Sequence, residues 1–233
     1  MATVLKISPR LQTIVQLCDN VKLTADIGTD HGYVAAELIL EDKVEKVIAT
    51  DISEKCLSKA ILLADSLNIS NYISFRVSDG FQNITKYDKV KQAVITGLGG
   101  MEIIKILENR PKKLYDFILQ PQHDTLALRD YLINNKFKIV ADLMVYDNGK
   151  YYDVIKVTKG RTRISDLEFY FGTTNFFDNY IVFYEYLKQE KNQLNEYKRQ
   201  LGELSQNLLQ HENAVDAAIS FVQQNHPDVL NIK

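Results

Sequence analysis

Only two cysteines and four prolines occur among the 233 residues. Cys18 and Cys56 stand at no metal-ligand spacing, and both fall in helical patterns. That excludes a disulfide-stapled secreted domain and reads as two reduced thiols in or near a core. No apolar run approaches the ~20 residues needed to span a bilayer. The opening stretch, Met1 to Arg10, has no apolar signal core followed by a small-residue cleavage site, so a cytoplasmic protein is expected. Positive charge is not in surplus either. With 28 Lys and Arg against 30 Asp and Glu, the net charge of −2 gives no bulk field to draw in nucleic acid. Any RNA contact must come from a local patch. The best run is Lys156 to Arg163, with four basic residues and no acid, whose ordinary reading is a solvated strand end or linker.

What is present is an ordinary globular composition, 45% hydrophobic and 25% charged, organised around Thr24 to Tyr33, T-A-D-I-G-T-D-H-G-Y. Val21, Leu23, Ala25 and Ile27 read as a strand and Gly28 as its turn. Val34, Ala35, Leu38 and Ile39 then follow at helical spacing. Such a turn admits φ > 0 and close backbone approach, and the helix start offers unpaired N–H groups to a polar or anionic ligand. Val47 to Thr50 reads as the second strand. Asp51 ends it about 20 residues beyond Gly28, the spacing at which a carboxylate meets ribose hydroxyls. A dinucleotide site wants a glycine where this chain has Asp30, because a carboxylate repels a pyrophosphate. The same carboxylate attracts a sulfonium or an amino group. The stretch therefore fits S-adenosylmethionine better than NAD.

The rest of the first 164 residues repeats strand and helix. Ser8 is an expected N-cap with Pro9 at the first helical position, and Arg10 in that first turn is disfavoured by the helix dipole. Ser53 caps a helix after the second strand. Ile73 to Val77 is a third strand ending in Ser78-Asp79-Gly80, and Ala93 to Thr96 a fourth running into Gly97-Leu98-Gly99-Gly100-Met101. Phe117 to Leu119 is a fifth, followed by Gln120-Pro121-Gln122-His123-Asp124. Runs 139–146 and 151–158, joined by Asp147-Asn148-Gly149, read as a hairpin. Five strand–helix repeats and a hairpin predict an α/β fold with a doubly wound, mostly parallel sheet and an antiparallel edge. Ligands then bind beyond the carboxyl ends of the strands. Asp26 to Gly32, Asp51, Asp79 to Gly80, Gly97 to Met101 and Gln120 to Gln122 all fall there. Asp79 stands where a strand-end carboxylate can take an adenine amine.

Past Ser165 the composition changes. Leu167, Phe169, Tyr170 and Phe171 are expected to pack back on the sheet. No proline occurs from Asn179 to Gln224, where Tyr180, Leu187, Leu194 and Leu201 recur every seven residues. Leu204, Leu208, Val215, Ala218 and Val222 form a second stripe. Two helices folded into a coiled-coil-like hairpin are expected, with Lys188, Lys191, Lys198 and Arg199 on the polar faces and a loose tail after His226-Pro227.

The runs A-D-I-G-T-D-H-G-Y, A-T-D-I-S, V-S-D-G, I-T-G-L-G-G-M, L-Q-P-Q and N-G-K-Y-Y-D-V-I together resemble the bacterial tRNA (adenine-22-N1)-methyltransferase family, TrmK. The likeness extends through the C-terminal hairpin. Arg10-Leu11 also matches, while Val34-Ala35-Ala36 departs where many relatives carry a proline. The resemblance implies a Rossmann-like catalytic domain over 1–164, S-adenosyl-L-methionine as methyl donor, and the D-arm region of tRNA as substrate. Residues 165–233 become a helical, tRNA-binding arm. Arg10, Asp26, Gly28, Asp30, His31, Gly32, Asp51, Ile52, Asp79, Gly80, Gly97 and Gly99 are the expected donor-binding set, with no metal. Asp30 and Gln120 are the catalytic candidates. Asp30 would stabilise the product cation, and the Gln120 amide would hold the exocyclic amine of the target base. Tyr33 or Tyr152 would stack on that base once it is turned out. His31 is either a titrating group or packing beneath the ligand, whereas His123, His211 and His226 read as surface or loop. A monomer without an obligate protein partner is expected. A methyltransferase of another substrate, and a non-enzymatic nucleotide-binding RNA scaffold, remain the alternatives.

Overall fold

Pro9 opens the first helix, as a residue with a preset φ and no amide hydrogen should. In the computed structural model, which describes residues 5–231, this helix is α1 (Pro9–Leu17). Ser8 does not cap it. The Ser8 hydroxyl instead donates to Asp147 Oδ2 at 2.7 Å, a partner brought in by the far end of the sheet. There follow β1 (Val21–Ile27), α2 (Tyr33–Leu40), β2 (Val44–Asp51), α3 (Glu54–Ser66), β3 (Ile73–Val77), β4 (Gln92–Leu98) and α4 (Gly100–Glu108). Then come β5 (Phe117–Pro121), α5 (Thr125–Asn134), β6 (Phe137–Asp147) and β7 (Lys150–Lys159). Ser53 caps α3 as expected, accepting from the Cys56 N–H.

The sheet order is β3-β2-β1-β4-β5-β7-β6. β1 to β5 pair in parallel, and β7 is antiparallel to both β5 and β6. The doubly wound sheet with an antiparallel edge hairpin is therefore observed. One detail differs: β3 leads into no helix. Residues 78–91 form turns, with Phe81 and Ile84 as buried anchors. Arg76 grips Asp88 through two hydrogen bonds (3.0 and 2.7 Å), and the Thr85 N–H donates to the same carboxylate. Those bonds hold the Asp88 carboxyl down at about 2. A glycine turn and two apolar anchors give no helical stripe to bury.

Alternate strand residues feed two cores, one on each face. Ala25, Ile27 and Ile95 pack with Ile103, Leu107, Leu128 and Leu132 of α4 and α5. Val47, Ala49, Val94 and Ile118 pack with Ile14, Val15, Ala35 and Leu38 of α1 and α2. Cys18 is buried here as a free thiol, and desolvation pushes its pKa up to about 12.

The arm comprises α6 (Asp166–Phe171), α7 (Tyr180–Leu201) and α8 (Gln206–Asn225). Leu187 and Leu194 bury against Val215, Ala218 and Val222, as their spacing requires. Leu201 does not; it is 67% exposed, because α7 stops at Gly202 and α8 begins only at Gln206. Phe171, Phe176 and Phe183 pack with Met144 of β6, so the aromatic segment after Ser165 packs back on the sheet, as expected, and joins the arm to its edge strand. The tail is not loose up to Asn231. His226 stacks on Tyr180 (3.9 Å, 5°), Tyr180 donates to Asp228 at 2.9 Å, and Val229 is buried.

A buried ion cluster joins the two parts. Arg129 of α5, 1% exposed, donates to both oxygens of Asp142 (2.7 and 2.9 Å) and to Asp153 (2.9 Å). It also donates to the Tyr170 carbonyl of α6 at 2.9 Å. Burial alone would lower the Arg129 pKa, but the two carboxylates raise it.

Candidate active site

The carboxyl ends of the strands are tied into one rim by backbone bonds. The Gly28 and Thr29 N–H groups donate to Thr50 O, both at 2.8 Å. The Ser78 N–H donates to Asp51 O, the Gln122 N–H to Leu98 O, and the Gly100 N–H to His123 O. Gly28, Asp30, Gly32, Asp51, Asp79, Gly80, Gly97 and Gly99 all lie on this rim, as their positions at strand ends predicted.

The glycine loop is fixed from below by Asp26. Its carboxyl, 2% exposed, accepts from the Thr29 hydroxyl (2.6 Å) and from the Ala35 N–H. Burial raises its pKa to about 6 despite those two donors, and the nearby Asp51 adds to the rise. Asp26 therefore supports the loop rather than lining open space. Asp51 is held by two backbone donors: Asp30 N–H to Oδ2 (3.1 Å) and Ser53 N–H to Oδ1 (2.9 Å). A carboxylate so fixed keeps acceptor capacity for a sugar hydroxyl.

The chain leaves room here for a ligand. Gly28 and Gly97 adopt φ of +74° and +77°, so both need glycine for their backbone. A Cβ on Gly28 would meet only Leu98 at 3.7 Å, and one on Gly97 only Gln122 at 4.0 Å. Beside them opens a cavity of about 930 Å³ lined by Ile52, Asp79, Gly80, Gly99 and Met101, with His123 and Lys105 at its walls. Ile52 is 72% exposed. A fixed carboxylate, open glycine shoulders and a cavity of mixed lining, with Asp79 and Glu102 beside Ile52, Met101 and Ile106, suit the ribose and adenine of S-adenosylmethionine.

Asp30 is exposed, with φ +47°, and its carboxylate lies 3.7 Å from His31 Nε2. His31 is also exposed, 3.3 Å from Lys59 Nζ and stacked on Tyr33 at 5.8 Å. It lies on the surface of the loop and is not packed in the core.

One expectation changes. The Gln120 amide is not available to a base. It is fully buried, with Oε1 accepting from Arg10 Nη1 (2.7 Å) and Nε2 donating to Pro121 O (2.7 Å). Arg10 in turn lies over the Tyr152 ring (4.7 Å) and 3.6 Å from Asp147. Its cation in a first turn is thus answered by a carboxylate of the β6–β7 turn. His123 is an exposed loop residue, as expected, and its ring also crowds Gly99, where a Cβ would come within 2.6 Å, and walls the cavity. His211 pairs with Glu190 at 2.9 Å. Neither Ser8, Asp147 nor His123 carried a partner spacing that marked it in the sequence.

On the arm, Lys191 and Lys198 both reach Glu212 (3.1 and 2.6 Å), so they knit α7 to α8. The basic run 156–163 lies at the opposite end of the sheet from the rim, because Val157 pairs with Phe117 at the start of β5. Among the described residues no three His, Cys, Asp or Glu side chains converge as a metal site, and no helix is long and apolar enough to cross a membrane.

The pattern that defines TrmK, tRNA (adenine(22)-N(1))-methyltransferase, matches residues 24–224. The chain belongs to this family. The tRNA (adenine(22)-N(1))-methyltransferase of Bacillus subtilis (strain 168) is 31% identical over 159 residues, 67% of this chain and 66% of that protein. M. capricolum TrmK in complex with S-adenosyl-homocysteine superposes with a TM-score of 0.81 at 25% identity, over 93% of this chain and 99% of that one. Streptococcus pneumoniae Sp1610 in complex with S-adenosyl-L-methionine gives 0.81 at 25%, over 92% and 100%. As a TrmK enzyme the chain is an S-adenosylmethionine-dependent methyltransferase of adenine N1 at position 22 of tRNA.

Proposed function

We propose that Asp51 holds the ribose hydroxyls of the methyl donor, that Asp79 takes its adenine amine, and that Asp30 stabilises the cationic ring of the product. S-adenosylmethionine supplies an electrophilic methyl group on a sulfonium when bound. Adenine N1 bears no proton at neutral pH, so no residue has to act as a base at that atom. The chain must instead orient the base and keep negative charge near a ring that becomes cationic. Asp30, exposed on the rim beside Asp51, and the strand-end carbonyl of Gly97 support that reading, whereas the Leu98 and Gly99 carbonyls already accept from Gln122 and from the first turn of α4. Gln120 acts one step back as a positioning residue, holding Arg10 against Tyr152 and the β6–β7 turn. Tyr33, 40% exposed, is the aromatic open to stacking on an extruded base.

Residues 165–233 serve as a guide that sets the orientation of the tRNA. They carry ten acidic and five basic side chains, so attraction comes from elsewhere. The enzyme works as a cytoplasmic monomer. The observation that carries this reading is the Asp51 carboxylate, pinned by two backbone N–H groups next to an open glycine shoulder. The test is methylation of unmodified tRNA transcripts followed by mapping of the altered nucleotide. Modification confined to N1 of adenine 22 is expected; transfer to another atom or position overturns the reading.

A further inference from the structure

At the amino-terminal edge of the sheet, opposite the rim, the loops before β4 and β5 enclose a cavity of about 900 Å³. Lys86, Lys89, Lys91, Lys112 and Lys113 line it, over apolar walls that include Phe81, Ile84 and Leu114. Among the described residues none of these five lysines forms a salt bridge. The carboxylates nearby are already engaged. Asp88 is bound by Arg76, and Asp116, the one acid in the lining, accepts from Thr158 at 2.5 Å. The hairpin extends the same edge with Lys159, 5.5 Å over the Tyr115 ring, followed in sequence by Arg161 and Arg163.

One lysine beside the carboxyl end of α4 is ordinary dipole compensation. Five around one cavity repel one another, and only Lys86 meets an aromatic face, 5.1 Å over the Tyr87 ring, among the described residues. The chain as a whole is net negative, and its arm is more acidic still. The five lysines therefore form a local positive cluster on a chain that is negative overall.

We propose that this lysine-walled cavity is a second RNA contact, which takes backbone phosphates of the tRNA substrate far from the modified base. Lysines act as point charges on phosphate and read no sequence. β4 spans seven residues from this edge to the glycine-rich rim, about 20 Å at ~3.3 Å per residue. The contact therefore falls on a part of the tRNA other than the target nucleotide. The proposal rests on tRNA as the substrate, and its test reads binding rather than turnover.

The test compares the wild type with the Lys86→Gln, Lys89→Gln, Lys112→Gln triple variant. Affinity is measured over a range of salt for full-length tRNA and for a stem-loop that carries only the target arm. S-adenosylmethionine affinity checks that the variant is folded. Full-length tRNA should bind about tenfold or more weakly, with the slope of log K against log salt reduced by about 2 to 3. The stem-loop and the donor should bind as before. Unchanged affinity and slope for full-length tRNA would overturn the proposal, as would an equal loss with the stem-loop. If adenine 22 proved not to be the methylated site, the activity assignment would fall while the salt slopes still reported on the lysines.

Discussion

The backbone N–H of Asp30 donates to the side chain of Asp51 at 3.1 Å, so the residue proposed to face the reaction is fastened to the residue proposed to hold the sugar. Binding and chemistry therefore share one hydrogen bond. Changes at Asp51 disturb both, while changes to the Asp30 side chain leave that bond in place.

Asp51→Ala removes the acceptor for the Asp30 and Ser53 N–H groups and, in the role proposed for it, for the ribose. Hydrogen bonds to a charged acceptor contribute about 1.5–3 kcal/mol, so donor affinity should fall about 10- to 100-fold by calorimetry. Affinity like that of the wild type would take Asp51 out of the sugar site.

Asp30→Asn keeps the left-handed backbone, which asparagine tolerates, and removes only the charge. The expected result is a fall in kcat of about 10²-fold with donor affinity almost unaltered, in line with losing one electrostatic stabiliser. A variant with full single-turnover rate would show that the product cation is stabilised elsewhere.

Asp26 gives a stability profile with a definite sign. Its folded pKa of about 6 lies above the ordinary 3.8, so the folded state binds more protons between those values and loses stability as pH rises through that window. Asp26→Asn, which cannot ionise, should therefore be more stable than the wild type at pH 8, by at most about 3 kcal/mol, with the gap closing towards pH 4. Denaturant titrations at the two pH values decide it. A gap that widens on acidification would contradict the shift.

Arg129→Met leaves Asp142 buried without its partner. Breaking a buried pair from one side typically costs about 3–5 kcal/mol, whereas exchanging both partners for apolar residues costs far less. Chemical denaturation should show that loss in the single variant and partial recovery when Asp142→Leu is added. Equal stability of wild type and single variant would mean that the cluster contributes little to holding α5, β6 and β7 together.

The glycine turn, Asp51 and the strand-end rim were legible because each depends on residues within one strand–turn–helix unit, where periodicity and spacing carry the information. Gln120 was misread because its burial depends on Arg10, 110 residues away, and Arg10 in turn on Asp147 of the last hairpin. The missing helix after β3 and the docked tail failed for related reasons. A bidentate Arg76–Asp88 pair and a ring stacked on Tyr180 replace the apolar stripes by which helices are recognised. The lysines of the far edge are scattered over two loops, and only the sheet brings them to one place.

The β6–β7 hairpin does three jobs along its length. Its turn gives Asp147 to Arg10 at the rim, its middle gives Asp142 and Asp153 to Arg129, and Met144 on its outer strand seats the arm. Rim and arm are thus mounted on a common spine. In the role proposed for the arm, a tRNA leaning on the helices would push on the same two strands that steady Arg10, which would make grasping the substrate and shaping the catalytic mouth one mechanical event.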